Sequence, residues 1–222
     1  MPRILNIETS TRICSVALSE SGTILALKEL GGEYTHAENL TLFIEDVIAS
    51  AGVRLADLDA VAISKGPGSY TGLRIGVSVA KGLCYALDKP LIAIGTLPAL
   101  FRACLKQPDA DAVYCPMLDA RRMEVYTAVY DSTGNVLEPV SAKIIDINSF
   151  AGFLEKGRVV FFGDGAAKCK SVLTHSNALF VDDIFPSAKH LAPLAEIAWS
   201  ARQFEDVAYF EPFYLKDFMA GK

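Results

Sequence analysis

The sequence predicts an α/β fold made of one structural plan used twice. Three observations carry that expectation. Short apolar runs of β-forming residues alternate with segments whose apolar residues recur at helical spacing. The order strand-strand-strand-helix-strand-helix appears in the first half and begins again in the second. The chain has 222 residues, 51% of them hydrophobic, enough to bury a core without a disulfide or metal staple.

The first copy occupies residues 1–106. Residues 4–7 form a short apolar strand, followed by the polar turn 8–12. Residues 14–18 form a second strand, and Ser21-Gly22 turns the chain into a third over 23–30. Thr35 and Glu38 match the S/T-x-x-E capping box, which satisfies backbone donors at a helix start. Ala37, Leu40, Phe43, Ile44, Val47 and Ile48 continue that helix at 3.6-residue spacing, and Gly52 ends it. A strand over 61–64 leads into the glycine-rich loop 65–72 and a long helix to residue 87. Asp88-Lys89-Pro90 stops that helix. A strand over 91–94 and a helix over 97–104 complete the copy.

Residues 106–111 are a polar boundary, and the second copy is expected over 107–222. Strands are predicted over 112–118, 125–130 and 136–145, a short helix over 148–156 and a strand over 159–163. A helix should begin at Ala166, and a last one should span 190–204. A cleft between the halves is the expected place for a ligand.

Composition narrows the function classes. The net charge is −5, and the densest basic spots are Arg121-Arg122 and Lys168 with Lys170. Phosphate affinity comes from clustered Lys and Arg, so this chain is not expected to hold RNA unaided. The five cysteines form no C-x-x-C pair and read as buried free thiols of a reducing compartment. Glu8 lies too early for a signal peptide, and no apolar run reaches the ~18 residues that span a bilayer. A cytoplasmic chain without membrane contact is expected.

Four segments are candidates for function. The turn Glu8-Thr9-Ser10-Thr11 offers oxygens to a magnesium ion or a phosphate, or is an ordinary polar turn bonded to its own backbone. Gly66-Pro67-Gly68-Ser69-Tyr70-Thr71-Gly72 opens a helix whose N–H groups suit an anion. It lacks the order of a Walker loop and serves equally as a rigid turn aiming the next helix. That helix is apolar nearly all round and needs cover on more than one side. Gly72, Gly76 and Ala80 recur every four residues beside Leu73, Val77 and Cys84, while Ile75, Val79, Leu83 and Ala86 line another side. Leu42 and Ala49 lie off the main stripe of the first helix. The long helix is either sealed inside the monomer or packs one face on a partner, with Gly76 in the seam. Asp119 to Glu124 is a charged stretch between strands, either a solvated hairpin or a site in which Asp119 and Arg121 pair or touch a ligand.

Metal and nucleophile chemistry find no support in the residue pattern. His36, His175 and His190 make no pair at helical ligand spacing, and no G-x-S-x-G elbow occurs. No catalytic residue, metal ligand or cofactor is expected.

Taken together, several segments resemble one family. Residues 4–11 with 14–18 are similar to its opening hairpin, and His36 stands at the head of its first helix. Residues 66–76 are similar to its signature loop, as are Asp119-Ala120-Arg121 with Glu124-Val125-Tyr126, and Glu211-Pro212-Phe213-Tyr214-Leu215-Lys216. The family is TsaB, also called YeaZ, and the resemblance spans nearly the whole chain. It implies the actin-like ATPase (ASKHA) fold with two lobes. It further implies a non-catalytic subunit for making N6-threonylcarbamoyladenosine in tRNA. The catalytic sister TsaD holds its metal through a His-x-x-x-His motif absent here.

The implied partners are TsaD, the ATPase TsaE within the complex, a second copy of the chain when alone, and tRNA only through the complex. The implied partner interface is taken over His36, Leu40, Phe43, Val47, Leu73, Gly76, Val77, Ala80 and Cys84. Glu8, Thr9 and Ser10 are the remnant of a phosphate loop, with Glu8 where members often carry Asp. Rival readings are an ATP-binding enzyme of the glycoprotease-like family and a stand-alone homodimeric binding protein.

Overall fold

The computed structural model describes residues 1–32, 35–105 and 109–216. The side chain of Thr35, and with it the expected capping box, lies outside the described residues, as does the boundary expected at residue 106. Two compact units are present: Met1–Ala99 with Pro186–Lys222, and Leu100–Phe185.

The first unit holds strands β1 (Arg3–Glu8), β2 (Ile13–Glu20), β3 (Thr23–Gly31), β4 (Ala60–Gly66) and β5 (Leu91–Gly95) in the order β3-β2-β1-β4-β5. β1, β2 and β3 pair antiparallel, whereas β4 and β5 run parallel to β1. Helices α1 (Thr35–Ser50) and α2 (Tyr70–Leu87) supply the two crossovers, the connections that parallel strands require. Alternation along β1 divides the core. Leu5 and Ile7 pack with Leu40, Phe43, Val47 and Val77, whereas Ile4 packs with Ile92, Leu191 and Ala195.

The second unit repeats the plan. α3 (Thr96–Cys104) carries the chain into β6 (Val113–Asp119), β7 (Glu124–Tyr130), β8 (Val136–Ile144), α4 (Ala151–Leu154), β9 (Val159–Phe162) and β10 (Ala178–Val181). Their order is β10-β9-β6-β7-β8. Read from β8, it is again third-second-first-fourth-fifth, with the same senses of pairing. The duplicated mixed sheet of the actin-like ATPase fold is thereby present.

Four expectations need correction. The last helix, α5 (Ala188–Ser200), belongs to the first unit and not to a lobe over 107–222. Its start is tied to β2 and β3: Ser187 Oγ donates to Glu29 Oε2 at 2.6 Å, and the Ala188 N–H donates to Ser15 Oγ at 3.0 Å. It also ends before residue 204, because Arg202 turns left-handed at φ 52° and Glu205 N–H then bonds Leu91 O on β5.

The helix expected from Ala166 is one 3-10 turn, Ala167–Cys169. Ala166, Cys169 and Leu173 are buried at helix-like spacing, but that spacing is met by consecutive turns. The helix expected over 148–156 shrinks to α4, since Ser149 Oγ takes the Asp146 N–H and Phe150 sits at φ 64°. β10 is an added strand that its residue pattern did not announce. Among the described residues, no helix is long and apolar enough to cross a membrane.

Candidate functional site

The turn between β1 and β2 is a buried polar feature of the first unit. Glu8, Thr9 and Ser10 are all buried. Glu8 Oε1 accepts from the Ser10 N–H at 2.6 Å and from Ser64 Oγ at 2.9 Å. Its Oε2 has no hydrogen-bond partner among the described residues. Burial pushes the Glu8 carboxyl up from the usual range, against the pull of its bonds to Ser10, Ser64 and Thr9.

The glycine-rich segment roofs this turn. Ser69 N–H donates to Ser10 O at 2.6 Å, and Ser69 Oγ caps α2 by accepting from the Gly72 N–H. A Cβ at Gly68 would collide with the Ser10 carbonyl, one at Gly72 with the Thr9 carbonyl, and one at Gly76 with Thr9 Oγ1 and Ile63. The three glycines therefore serve close approach of α2 to the turn. Glu8 Oε2, Thr9 Oγ1 and Ser10 Oγ are buried beneath this cover without a hydrogen-bond partner among the described residues, so a phosphate could reach them only by displacing it.

His36 completes the arrangement from the side. Its Nε2 lies 2.6 Å from Thr11 O; a carbonyl only accepts, so this nitrogen carries the proton. Desolvation lowers the pKa of the ring, and the bond to Thr11 opposes that shift. His36 thus ties α1 to the turn and is only partly accessible.

The interface residues expected on the two helices divide against the expectation. Leu40, Phe43, Val47, Leu73, Val77, Ala80 and Cys84 are buried, and all but Leu73 belong to one core cluster with β1, β2 and β4. Gly76 is buried too. These are the inward faces, and burying such side chains contributes roughly 1.5–3 kcal/mol each for Leu, Val or Phe. None is free to meet a partner.

The outward faces carry a different set. On α2, Thr71, Ser78, Gly82, Tyr85 and Ala86 are exposed, with Ile75, Val79 and Leu83 half-buried between them. A methyl at Gly82 would meet nothing within 4 Å. Tyr85 is 87% exposed and, on α1, Leu42 is 54% exposed; Ala49 also points out. Ser78, Gly82 and Ala86 form a second small-residue row at four-residue spacing. That row was open to reading beside Gly72-Gly76-Ala80; spacing alone does not say which row faces the sheet.

The chain beyond α5 lies along another side of α2. Lys81 Nζ donates to the carbonyls of Ala208 and Phe210, both at 3.0 Å. The Phe213 N–H donates to Lys65 O at 2.7 Å, and Tyr214 packs on Tyr70 with ring centroids 4.6 Å apart and the rings tilted by 34°. The C-terminal signature residues thus fasten the start of α2, a role their sequence did not disclose.

In the second unit the charged stretch is a hairpin tip. Asp119 pairs with Lys168, not with Arg121, whose backbone N–H alone reaches Asp119 Oδ1. The thiols are inert by environment: burial pushes Cys14 and Cys84 up to about 11 and Cys115 up to about 12. Among the described residues, no group of three or more His, Cys, Asp or Glu side chains could hold a metal ion.

Comparison with known proteins gives a consistent picture. A family model described as TsaD, tRNA N6-adenosine threonylcarbamoyltransferase, matches residues 32–220. The tRNA threonylcarbamoyladenosine biosynthesis protein TsaB of Haemophilus influenzae is 30% identical, over 99% of this chain and 95% of its own length. TsaB of Escherichia coli is also 30% identical, over 99% and 97%. A crystal structure from Pseudomonas aeruginosa, described as similar to peptidase YeaZ, superposes with a TM-score of 0.81 at 27% identity. It covers 97% of this chain and all of that one. An activator of 2-hydroxyisocaproyl-CoA dehydratase from Clostridium difficile shares the fold alone, with a TM-score of 0.52 at 10% identity.

Proposed function

The chain belongs to the TsaB (YeaZ) family, and from that premise we propose that it is a non-catalytic subunit for forming N6-threonylcarbamoyladenosine in tRNA. It pairs with a catalytic TsaD-type subunit through the outward faces of α1 and α2. A TsaE-type ATPase completes the assembly, and the same faces join two copies when the chain is alone. The setting is cytoplasmic.

The observation that carries this reading is the outer surface of α2. Ser78, Gly82 and Ala86 lie exposed above half-buried Ile75, Val79 and Leu83, with Tyr85 and Leu42 projecting. Small residues let a second pair of helices approach closely, and large apolar neighbours supply the area. Helices of 16 and 18 residues are long enough to bury the ~800 Å² per partner of a stable interface. The sealed turn at Glu8 supports a subunit that does not itself turn over a nucleotide.

The test is Gly82→Arg. It should leave circular dichroism unchanged and melting at or above the parent, abolish pairing with a TsaD-type subunit on a sizing column, and stop tRNA modification in a reconstituted system. A variant that pairs and modifies as well as the parent would sink this reading. Saturable ATP binding by calorimetry, lost in Glu8→Ala, would instead favour the ATP-binding enzyme.

A further inference from the structure

The loop Arg121–Met123 joins β6 to β7, closed by the Ala120 N–H bonded to Glu124 O and the Glu124 N–H bonded to Arg121 O. Arg121 and Arg122 sit at φ 68° and 49°. Side chains with a Cβ pay for that left-handed backbone, and Gly, Asn or Asp are the usual occupants of such hairpin positions. Two successive arginines held there are the kind of outlier from which a function is argued.

Both side chains are exposed, and neither guanidinium has an ion pair or hydrogen bond among the described residues. The other cations of this unit are largely committed. Lys168 holds Asp119 and the Glu124 carbonyl, Lys170 holds Asp182, Arg158 holds Asp109, and Lys143 holds Glu138. Arg121 and Arg122 are thus neighbouring uncommitted cations. Of the carboxylates nearby, Asp119 is paired with Lys168, and Asp164 Oδ1 accepts the Asp119 N–H. The tip presents two adjacent exposed guanidinium groups on a chain of net charge −5.

We propose that the Arg121–Arg122 tip grips the phosphate backbone of the RNA substrate once the assembly holds that RNA. This rests on the subunit reading above, which supplies tRNA as the substrate. Each guanidinium presents a planar fork that matches a phosphate with two parallel N–H bonds, and a ribose-phosphate chain offers successive phosphates to both forks. The acidic remainder of the chain repels RNA, which keeps this contact weak, and measurable only at low salt, until the partner subunit has docked the substrate.

The experiment uses the chain assembled with TsaD-type and TsaE-type subunits. Two double variants are compared with the parent: R121N/R122G, whose residues suit the left-handed backbone, and R121K/R122K, which keeps charge but removes the forks. Pairing is read on a sizing column, melting by calorimetry, and tRNA binding by fluorescence anisotropy from about 50 to 200 mM salt. The expected result for R121N/R122G is melting at or above the parent, unchanged pairing, and tRNA affinity reduced about 10-fold. The slope of log affinity against log salt should fall by about 2. R121K/R122K should keep most of the slope and lose part of the affinity.

Unchanged affinity and slope would overturn the proposal, as would a parent complex that binds no tRNA. Loss of pairing in R121N/R122G would also overturn it, since the tip would then be docked on an acidic protein surface. If the parent itself does not pair with a TsaD-type subunit, the subunit reading fails on its own. The tip is then judged on the isolated chain at low salt: tRNA binding weakened by R121N/R122G sustains the proposal, and its absence overturns it.

Discussion

His36 and Thr11 are joined by a hydrogen bond of 2.6 Å from the ring Nε2 to the backbone carbonyl, so the first turn of α1 is fixed to the β1–β2 turn. The same turn is pressed from above by α2 through its glycines. Both helices that present the outward faces are therefore aligned on one buried polar turn.

His36→Ala should strand the Thr11 carbonyl and cost about 1–3 kcal/mol in urea unfolding, with partial recovery in His36→Gln. Burial lowers the ring pKa below its ordinary 6.5, so the folded state favours the neutral ring. That stability is present above about pH 6.5 and is lost as pH falls through the folded value. A urea midpoint in His36→Gln that changes with pH as steeply as in the parent would contradict this.

Glu8 should show the opposite sign. Its carboxyl is raised above the ordinary 4.5 by burial, so the folded state favours the protonated form. The stabilisation is present below about pH 4.5 and is lost as pH rises through the folded value. Glu8→Gln keeps an acceptor for Ser10 and Ser64 and removes the charge. Its urea midpoint should exceed that of the parent at pH 8, with the gap closing toward pH 4. Equal midpoints at both ends would show that the carboxyl is not desolvated.

Gly76 and Gly82 should part company. Gly76→Ala places a methyl against Thr9 and Ile63 and should cost about 1–3 kcal/mol through overpacking. Gly76→Arg should fail to fold, which corrects the expectation of Gly76 in a partner seam. Gly82→Ala, in open space on the same helix, should stabilise the monomer by about 0.5–1 kcal/mol. Thermal melts of the two alanine variants side by side decide the matter; a matching loss at both positions would refute the assignment of faces.

Glu29 holds the start of α5. Burial alone would raise its pKa, but bonds from Ser187 and Ser15 and the charge of Lys189 hold it below the ordinary 4.5. This stabilisation is present above about pH 4.5 and is lost as pH falls through the folded value. Glu29→Gln should lower the melting temperature at pH 7 and speed amide exchange in the first turn of α5, with both differences shrinking as pH falls below 4.5. Unchanged exchange there would mean that the helix is held by Leu191 and Ala195 alone.

The strand-strand-strand-helix-strand start of both copies was legible in the sequence, because alternation with a period of two and recurrence at 3.6 are local properties of a chain. The family was legible as well, since the hairpin, the glycine loop and the Glu211–Lys216 signature are contiguous stretches. Which row of α2 faces inward is settled by packing against the sheet. Gly72-Gly76-Ala80 and Ser78-Gly82-Ala86 have the same spacing, and the choice is made by Thr9, far away along the chain, and by Ile63 on β4. Packing likewise seals Glu8 to Ser10 and returns α5 to the first unit. Both follow from contacts such as Ser64 with Glu8 and Ser187 with Glu29, whose partners stand 56 and 158 residues apart, beyond the reach of any local pattern.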